Sequence, residues 1–118
     1  MIQHQQWHDA QRVIVVDERN RGTVQMCIPA PNYEESRIEG KADALIYALW
    51  VDEPCRGQGG ATYILETIEN EARRMGLKSV CLEWDNRDTP EWVLRWYERL
   101  GYVEKEFGRH ISLLVKQL

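Results

Sequence analysis

The sequence lacks any apolar run that approaches the ~20 residues a membrane-spanning helix needs. Its opening stretch, MIQHQQWHDAQR, has no apolar core of the kind that marks a secretory signal. It also lacks an excess of positive charge, since the formal net charge is −4, and this argues against a general nucleic-acid-binding protein. We therefore expect a cytoplasmic protein that binds neither a membrane nor nucleic acid.

Cysteine and histidine are too sparse to indicate a metal site. The cysteines are odd in number and have no metal-ligand spacing (Cys27, Cys55 and Cys81), so reduced cytosolic thiols explain them most simply. His4 and His8 would share a face only if their segment were helical, and no further ligand lies nearby. We expect residues 1–11 to form a solvated N-terminal segment and no metal to be bound.

Length and composition indicate one soluble globular domain over residues 1–118. The chain has 118 residues, of which 43% are hydrophobic and 29% charged, which is ordinary for a domain with its own core. No internal repeat, low-complexity tract or linker divides it. The function must therefore be sought in local motifs.

The most informative stretch runs from residue 45 to Gly76. The apolar run Leu45–Val51 predicts a strand that is covered on both faces. A glycine-rich string follows (Arg56-Gly57-Gln58-Gly59-Gly60-Ala61), and apolar residues then recur at helical spacing until Gly76. A strand, a glycine turn and a helix start predict an anion site, because the first helical N–H groups have no internal partner and the helix dipole favours negative charge.

The remaining pattern predicts a mixed α/β fold in the order β-β-β-α-β-α-β-β. A hairpin is expected first, with Asn20 and Gly22 able to take positive φ at its turn. Thr89 is the expected N-cap of the second helix, with Pro90 at its first position. A strand, a helix and a strand in succession also imply parallel neighbours. The predicted strands cover residues 12–17, 23–28, 45–51, 78–84, 102–107 and 110–118, and the second helix ends at Gly101.

The spacing of the glycine loop separates three known anion-binding loops. A Walker A loop requires lysine at the helix start, which Gly60-Ala61-Thr62 does not provide. A dinucleotide fingerprint counted from Gly57 meets Thr62 where glycine is needed, and Asp85 only loosely imitates its ribose-binding acid. The acyl-coenzyme A loop, [Q/R]-x-x-G-x-[G/A], is filled without a gap by Arg56, Gly59 and Ala61.

Two motifs together resemble the GNAT superfamily of N-acetyltransferases. The passage from Val51 to the loop at Arg56 is similar to the family's strand-to-loop connection. The sequence Trp96-Tyr97-Glu98-Arg99-Leu100-Gly101-Tyr102 is similar to its [F/W]-Y-E-[K/R]-L-G-[F/Y] signature. The resemblance covers the chain from about residue 44 onward and implies the GNAT fold, acetyl-CoA as cofactor and acetyl transfer to a primary amine, in a small molecule or a peptide.

The resemblance also implies which residues bind coenzyme A. The loop would hold the diphosphate, and the main chain of Leu49, Trp50 and Val51 would pair with the pantetheine arm. Asn86 resembles the family asparagine that contacts pantetheine, although it lies farther from Tyr97 than is usual. Tyr97 itself would be the general acid that protonates the departing thiolate; the alternative is that it only packs in the apolar stripe of its helix.

The general base is less evident from the sequence. Many family members use a glutamate on the central strand, but residues 45–51 contain none. Glu83 on the next strand, acting directly or through a water, is the candidate; otherwise it is a solvated surface residue. Cys55 beside the loop suggests a covalent mechanism, which we discount because only the remote His110 could activate it.

Two features bear on the acceptor. The segment from Asn32 to Asp43 is rich in acidic residues and is either a solvated arm or an acidic lip that prefers a cationic amine. GNAT proteins normally have a strand and two helices before the first hairpin, and only eleven residues precede Arg12 here. The acceptor site is therefore either open, which suits a peptide amine, or closed by a second subunit of a homodimer.

Two other functions remain possible on the same fold. A non-catalytic acyl-CoA sensor would keep the loop, and the missing base on the central strand favours it slightly. A dimerising interaction protein would use Trp84, Trp92 and Trp96 as a contact surface, although core packing accounts for these tryptophans equally well.

Overall fold

A computed structural model describes residues 1–7, 10–29, 38 and 40–118. Within this part of the chain there are seven strands and two α-helices. None of the described helices is long and apolar enough to cross a membrane. The elements are β1 (Ile2–Trp7), β2 (Ala10–Asp17), β3 (Gly22–Pro29), β4 (Ala44–Val51), α1 (Gly60–Arg74), β5 (Ser79–Asp85), α2 (Glu91–Arg99), β6 (Val103–Phe107) and β7 (Ile111–Gln117).

All seven strands form one mixed sheet in the order β1-β2-β3-β4-β5-β7-β6. Only β4 and β5 are parallel, as the intervening helix predicts, and every other neighbouring pair is antiparallel. The predicted mixed α/β fold is therefore confirmed, with one strand more than the sequence indicated. The predicted strand and helix limits agree with the structure to within two residues.

The additional strand corrects the expectation of a solvated N-terminal segment. Residues Ile2–Trp7 pair with β2 in antiparallel register, from Ile2 opposite Val15 to Trp7 opposite Ala10. The sequence does not predict this strand, because most of its residues are polar. Residues 1–6 are all exposed and show no alternation of apolar and polar residues. A tertiary contact holds it, since His4 Nε2 lies 2.8 Å from Glu71 Oε1 on α1.

Both helices pack against one face of the sheet. The apolar face of α1 (Ile64, Leu65, Ile68 and Ala72) meets Val13, Val15, Val24 and Met26 from β2 and β3, all buried. Leu94 of α2 joins the same cluster near Leu82 and Leu114. Because side chains alternate along a strand, Cys81, Leu113 and Val115 lie on the opposite face and form a smaller cluster with Ile38.

The ends of the helices follow the expected stop signals more closely than the expected start signals. Gly76 adopts φ 82°, and the Leu77 amide donates to the Ala72 carbonyl at 3.0 Å, as in a Schellman C-cap. At the start of α2, however, Pro90 is the N-cap and the helix begins at Glu91. The predicted N-cap at Thr89 is therefore wrong by one residue, and Thr89 precedes the cap.

The feature that positions the site is a split between the two parallel strands. β4 and β5 pair only at Ala44–Val80 and Leu45–Cys81, and beyond these residues they separate. A bulge marks the separating part of β4, where Ala48 and Leu49 lie opposite the single residue Val24. Ala48 has φ 54° there, which is an uncommon conformation for alanine.

Candidate active site

The glycine loop forms a ready anion cradle at the start of α1. After a short 3-10 turn over Glu53–Cys55, both Gly57 and Gly59 take positive φ, 79° and 82°, and the helix begins at Gly60. Among the described residues, no carbonyl or side chain accepts a hydrogen bond from the amides of residues 60–62. The first helical N–H groups are therefore available to an anion.

Gly60 is required for a reason that the motif does not reveal. A Cβ atom at this position would lie 3.0 Å from Cβ of Asn20, in the turn between β2 and β3. Asn20 is itself fixed, because its side-chain amide donates to Asp17 Oδ2 at 2.6 Å. The helix start is thus packed tightly against the hairpin turn, and this holds the cradle at the end of β4.

Arg56 places a positive charge beside these amides. Its Nε donates to the Val51 carbonyl at 2.8 Å, and its guanidinium carbon lies 4.4 Å from the centre of the Trp50 indole ring. The indole holds the guanidinium by a cation–π contact, and no carboxylate of the described residues forms an ion pair with it. The Arg56 guanidinium is therefore held in a fixed orientation, and its positive charge is not neutralised by a carboxylate of the described residues.

A cavity of about 630 Å³ lies between the loop, the end of β4 and α2; we call it the glycine-loop cavity. It brings together most of the predicted binding residues: Leu49, Trp50, Val51, Arg56, Gly57, Gly59, Gly60 and Ala61. Gln58 is in the loop but does not line this cavity, and its side chain points back to the Pro54 carbonyl at 3.5 Å. The remaining wall consists of Cys55, Thr62, Thr89, Trp92, Val93, Trp96 and Tyr97.

A second cavity of about 250 Å³ fills the gap where β4 and β5 separate; we call it the cleft. Its walls are Ile46, Tyr47, Ala48, Leu49, Leu82, Glu83 and Tyr97. Two of these residues, Leu49 and Tyr97, also line the glycine-loop cavity, so the two spaces meet at them. A molecule held in the loop can therefore extend along β4 into the cleft.

Tyr97 stands where the two cavities meet. Its ring packs 5.3 Å from that of Trp96 and 6.1 Å, edge-on, from that of Tyr102. Burial raises the pKa of the Tyr97 phenol above its ordinary value, so the phenol is protonated at neutral pH. Among the described residues, none forms a hydrogen bond with its hydroxyl, and Tyr97 is one of the residues that line both cavities.

Glu83 lines the cleft from the β5 side and a third cavity of about 600 Å³ on the opposite face of the sheet, the far-face cavity. Lys41, Lys105 and Phe107 are among the other residues of that space. Glu83 is therefore shared by the cleft and the far-face cavity, and it lies outside the glycine loop.

Asn86 is the predicted site residue that the structure places elsewhere. Its side chain donates to the Arg109 carbonyl at 3.3 Å and lies 3.3 Å from His110 Nδ1, in the turn before β7. Of the described cavities, none has Asn86 in its wall. The glycine-loop cavity does contain Cys55, but its described walls include no histidine.

The sequence did not indicate several wall residues. The sequence predicts Thr89 as a helix cap and Val93 and Trp96 as part of a packing stripe, yet all three line the glycine-loop cavity together with Trp92. Their spacing of three and four residues was the available signal, because it places them on one face of α2 with Tyr97. Which cavities this face of α2 borders is decided by the separation of β4 from β5, which the spacing within α2 does not reveal.

Two other predictions concern residues that are largely outside the described part of the chain. The acidic segment from Asn32 to Asp43 is described only at residues 38 and 40–43, and His8 is not described. Within the described residues, no group of His, Cys, Asp or Glu could hold a metal ion.

The sequence matches a family model described as an acetyltransferase (GNAT) domain over residues 9–104. No curated protein matches it. An acetyltransferase from Bacillus cereus ATCC 14579 has a similar structure, with a TM-score of 0.68 at 23% identity, over 92% of this chain and 74% of the other.

Two similar structures contain coenzyme A or its thioester. The PaiA N-acetyltransferase from Thermoplasma acidophilum, in complex with coenzyme A, gives a TM-score of 0.68 at 12% identity, over 93% of this chain and 62% of the other. A GNAT family acetyltransferase from Elizabethkingia anophelis with acetyl-CoA bound gives 0.66 at 13% identity, over 94% and 78%. At these identities the likeness establishes the fold.

Proposed function

The chain belongs to the GNAT acetyltransferase family, and we propose that it transfers an acetyl group from acetyl-CoA to a primary amine by direct attack. The observation that carries this proposal is the position of Tyr97, which borders both the glycine-loop cavity and the cleft between β4 and β5. A proton donor is thus present where a thioester held by the loop would reach the opening in the sheet.

The residues present suit acetyl-CoA. Its diphosphate would be held by the main-chain amides from Gly57 through Gln58 to Ala61, together with the uncompensated charge of Arg56. A helix N-terminus contributes at most ~1–2 kcal/mol toward an anion, so several N–H bonds must supply most of the binding. Leu49–Val51 line the same cavity and are not paired with β5, so this edge of β4 is available to an extended arm, although the Val51 carbonyl already accepts a hydrogen bond from Arg56 Nε.

Acetyl transfer forms a C–N bond and breaks a C–S bond, so the amine must lose a proton and the thiolate must gain one. Tyr97 is the proposed general acid. Its raised pKa keeps the phenol protonated at neutral pH. Because an unperturbed thiol has a lower pKa, ~8.5, the phenol is the weaker acid, and it can donate to the thiolate only in close contact with the sulfur.

Glu83 is the proposed general base, acting directly or through a water. Glu83 lines both the far-face cavity and the cleft, and Tyr97 lines the cleft, so the two proposed groups border one common space. A covalent route through Cys55 is less favoured, because no imidazole among the described wall residues is available to activate the thiol.

The acceptor side is expected to be open, or completed by a second copy of the chain. Only two residues separate β1 from β2, too few for the pair of helices that would otherwise wall this side. An open site suits a peptide amine as well as a small molecule, and a homodimer would close it. Sedimentation velocity with and without acetyl-CoA distinguishes the two arrangements.

A non-catalytic acyl-CoA sensor is the second candidate. It is favoured by one observation, namely that β4 carries no carboxylate along Ala44–Val51. Release of free thiol from acetyl-CoA, measured with a panel of small amines and amine-terminated peptides, separates the two functions. Amine-dependent thiol release is expected; binding of coenzyme A without any release would identify the sensor.

Tyr97→Phe tests the mechanism. We expect kcat to fall about 100-fold, a typical contribution of general acid–base catalysis, while the Kd for coenzyme A stays within about twofold. Calorimetry supplies the Kd and thiol release supplies kcat. Trp92→Phe, on the same helix and cavity wall, is the matched control and should keep most of the turnover. An unchanged kcat in Tyr97→Phe would refute the assignment of the acid.

A further inference from the structure

Helix α1 carries a carboxylate on its buried face. Glu69 is only 2% exposed, although its neighbours on that face are apolar. A buried carboxylate is costly unless hydrogen bonds satisfy it. Two side chains do so: the Tyr102 hydroxyl donates to Glu69 Oε2 at 2.5 Å, and Lys116 Nζ on β7 donates to Glu69 Oε1 at 3.0 Å. We call these three residues the buried network.

The buried network is joined directly to the end of α2. The helix ends in a Schellman motif: Gly101 has φ 100°, its amide donates to Glu98, and the Tyr102 amide donates to the Tyr97 carbonyl at 3.1 Å. In this motif the residue after the glycine commonly packs against the residue whose carbonyl it binds. Here the rings of Tyr102 and Tyr97 meet edge-on at 6.1 Å.

Lys116 braces the same turn from β7. Its ammonium lies 5.5 Å from the centre of the Tyr102 ring, and its side-chain Cε lies 3.4 Å from where a Cβ of Gly101 would be. Burial, followed by the hydrogen bond to Glu69, raises the pKa of Tyr102, so the phenol remains a donor to the carboxylate. The last turn of α2 is thus fixed to α1 and β7 at once.

We propose that the buried network of Tyr102, Glu69 and Lys116 positions Tyr97 for catalysis. It fixes the main chain and the ring on which Tyr97 packs, and so keeps that side chain at the junction of the cleft and the glycine-loop cavity. These are positioning residues, and their effect passes through Tyr97. The inference rests on the proposed function, in which Tyr97 is the general acid. A displacement of about 1 Å can cost ~100-fold in rate.

Tyr102→Phe removes only the hydroxyl that binds Glu69. We expect kcat in thiol release to fall about 10-fold, while the Kd for coenzyme A changes less than about twofold, because no residue of the network lines the glycine-loop cavity. The matched control is Glu71→Gln, which alters another buried carboxylate of α1, whose two partners are Arg74 on α1 and His4 on β1. It should lower the melting temperature and leave kcat unchanged.

A double-mutant cycle with Tyr97→Phe separates positioning from general stabilisation. If the network acts through Tyr97, Tyr102→Phe causes no further loss of kcat in the Tyr97→Phe background. The same 10-fold loss in both backgrounds, or an unchanged kcat in the single variant, would overturn the proposal. If Tyr102→Phe does not fold, Lys116→Met is measured in the same cycle with the same criteria.

The two proposals fail in different ways. An unchanged kcat in Tyr97→Phe alone removes both the general acid and its positioning network. A loss in Tyr97→Phe without a loss in Tyr102→Phe or Lys116→Met leaves the proposed function intact and removes only the network's role.

Discussion

At the scale of single residues, the glycines near the site serve two different physical purposes. Gly57 and Gly59 provide positive φ in the loop, whereas Gly22 and Gly60 provide space. The β2–β3 turn shows the difference clearly. The sequence indicates Asn20 and Gly22 as the residues able to take positive φ in this turn. In the structure the residue with positive φ is Arg21, at 52°. Gly22 is needed because a Cβ there would lie 2.4 Å from Ile64 Cδ1 and 2.7 Å from the Trp50 carbonyl.

Gly22→Ala is therefore expected to destabilise the fold by about 1–3 kcal/mol, the usual cost of overpacking. The Trp50 carbonyl belongs to β4 and cannot move without disturbing the sheet. Urea denaturation measures the change. Gly76→Ala is the matched comparison, because its added Cβ meets open space and only the cost of positive φ remains. Wild-type stability for Gly22→Ala would contradict the close approach seen here.

The site residues also differ in how far the sequence could identify them. The family signature over Trp96–Tyr102 places Tyr97 near the end of α2, as observed, but its position beside the cleft depends on the separation of β4 from β5. Asn86 was matched by analogy alone, and its side chain is engaged with Arg109 and His110. Local spacing locates a residue well when the element that carries it is regular.

At the scale of elements, β1 is the strand whose existence depends on tertiary contacts. Its register is fixed by β2, and its position against α1 is fixed by His4 and Glu71. Arg74 also donates from Nε to Glu71 Oε2 at 3.0 Å. The hydrogen bonds from Arg74, and secondarily the one from His4, hold the pKa of Glu71 below its ordinary value, although burial opposes them.

This lowered pKa predicts how the stability depends on pH. A carboxyl whose pKa is lower in the folded state contributes stability above the pKa of the unfolded chain, about 4.3, and loses it as the pH falls through the folded value. Glu71→Gln should therefore cost about 1 kcal/mol at neutral pH, and the difference from wild type should shrink below about pH 4. Urea denaturation at several pH values measures it.

The control for this measurement is Glu66→Gln, which changes an exposed carboxylate on the same helix and should alter stability little. A difference between wild type and Glu71→Gln that is independent of pH would mean that the ion pairs do not stabilise the folded state.

At the scale of the whole molecule, the sheet consists of two halves that meet over a short length. In the half formed by β1–β4 each strand is antiparallel to its neighbour, and β5, β7 and β6 form the other half. The two paired positions at the start of β4 and β5 join the halves, and α1 and α2 share one core across them. A ligand that lies between β4 and α2 should therefore strengthen the connection between the two halves of the sheet and stabilise the folded protein.

Coenzyme A at about 100 times its Kd is expected to stabilise the protein by about 2.7 kcal/mol. For a chain of this size that corresponds to a rise in melting temperature of roughly 10 °C. Differential scanning fluorimetry measures the shift. Arg56→Glu should abolish it by reversing the charge at the cradle, and Gly59→Trp by obstructing the loop. A folded wild-type protein whose melting temperature does not respond would refute both the transferase and the sensor.

The sequence by itself determined the regular elements, their order, the glycine loop and the helix signature, because each depends on periodicity or on spacing within a few residues. Tertiary structure alone decided the polar strand β1, the separation of β4 from β5 and the buried network around Glu69. These depend on contacts between residues far apart in the chain, such as His4 with Glu71 and Tyr102 with Glu69. The cleft arises because two parallel strands stop pairing after Leu45 and Cys81, and no local pattern in either strand encodes where its neighbour departs.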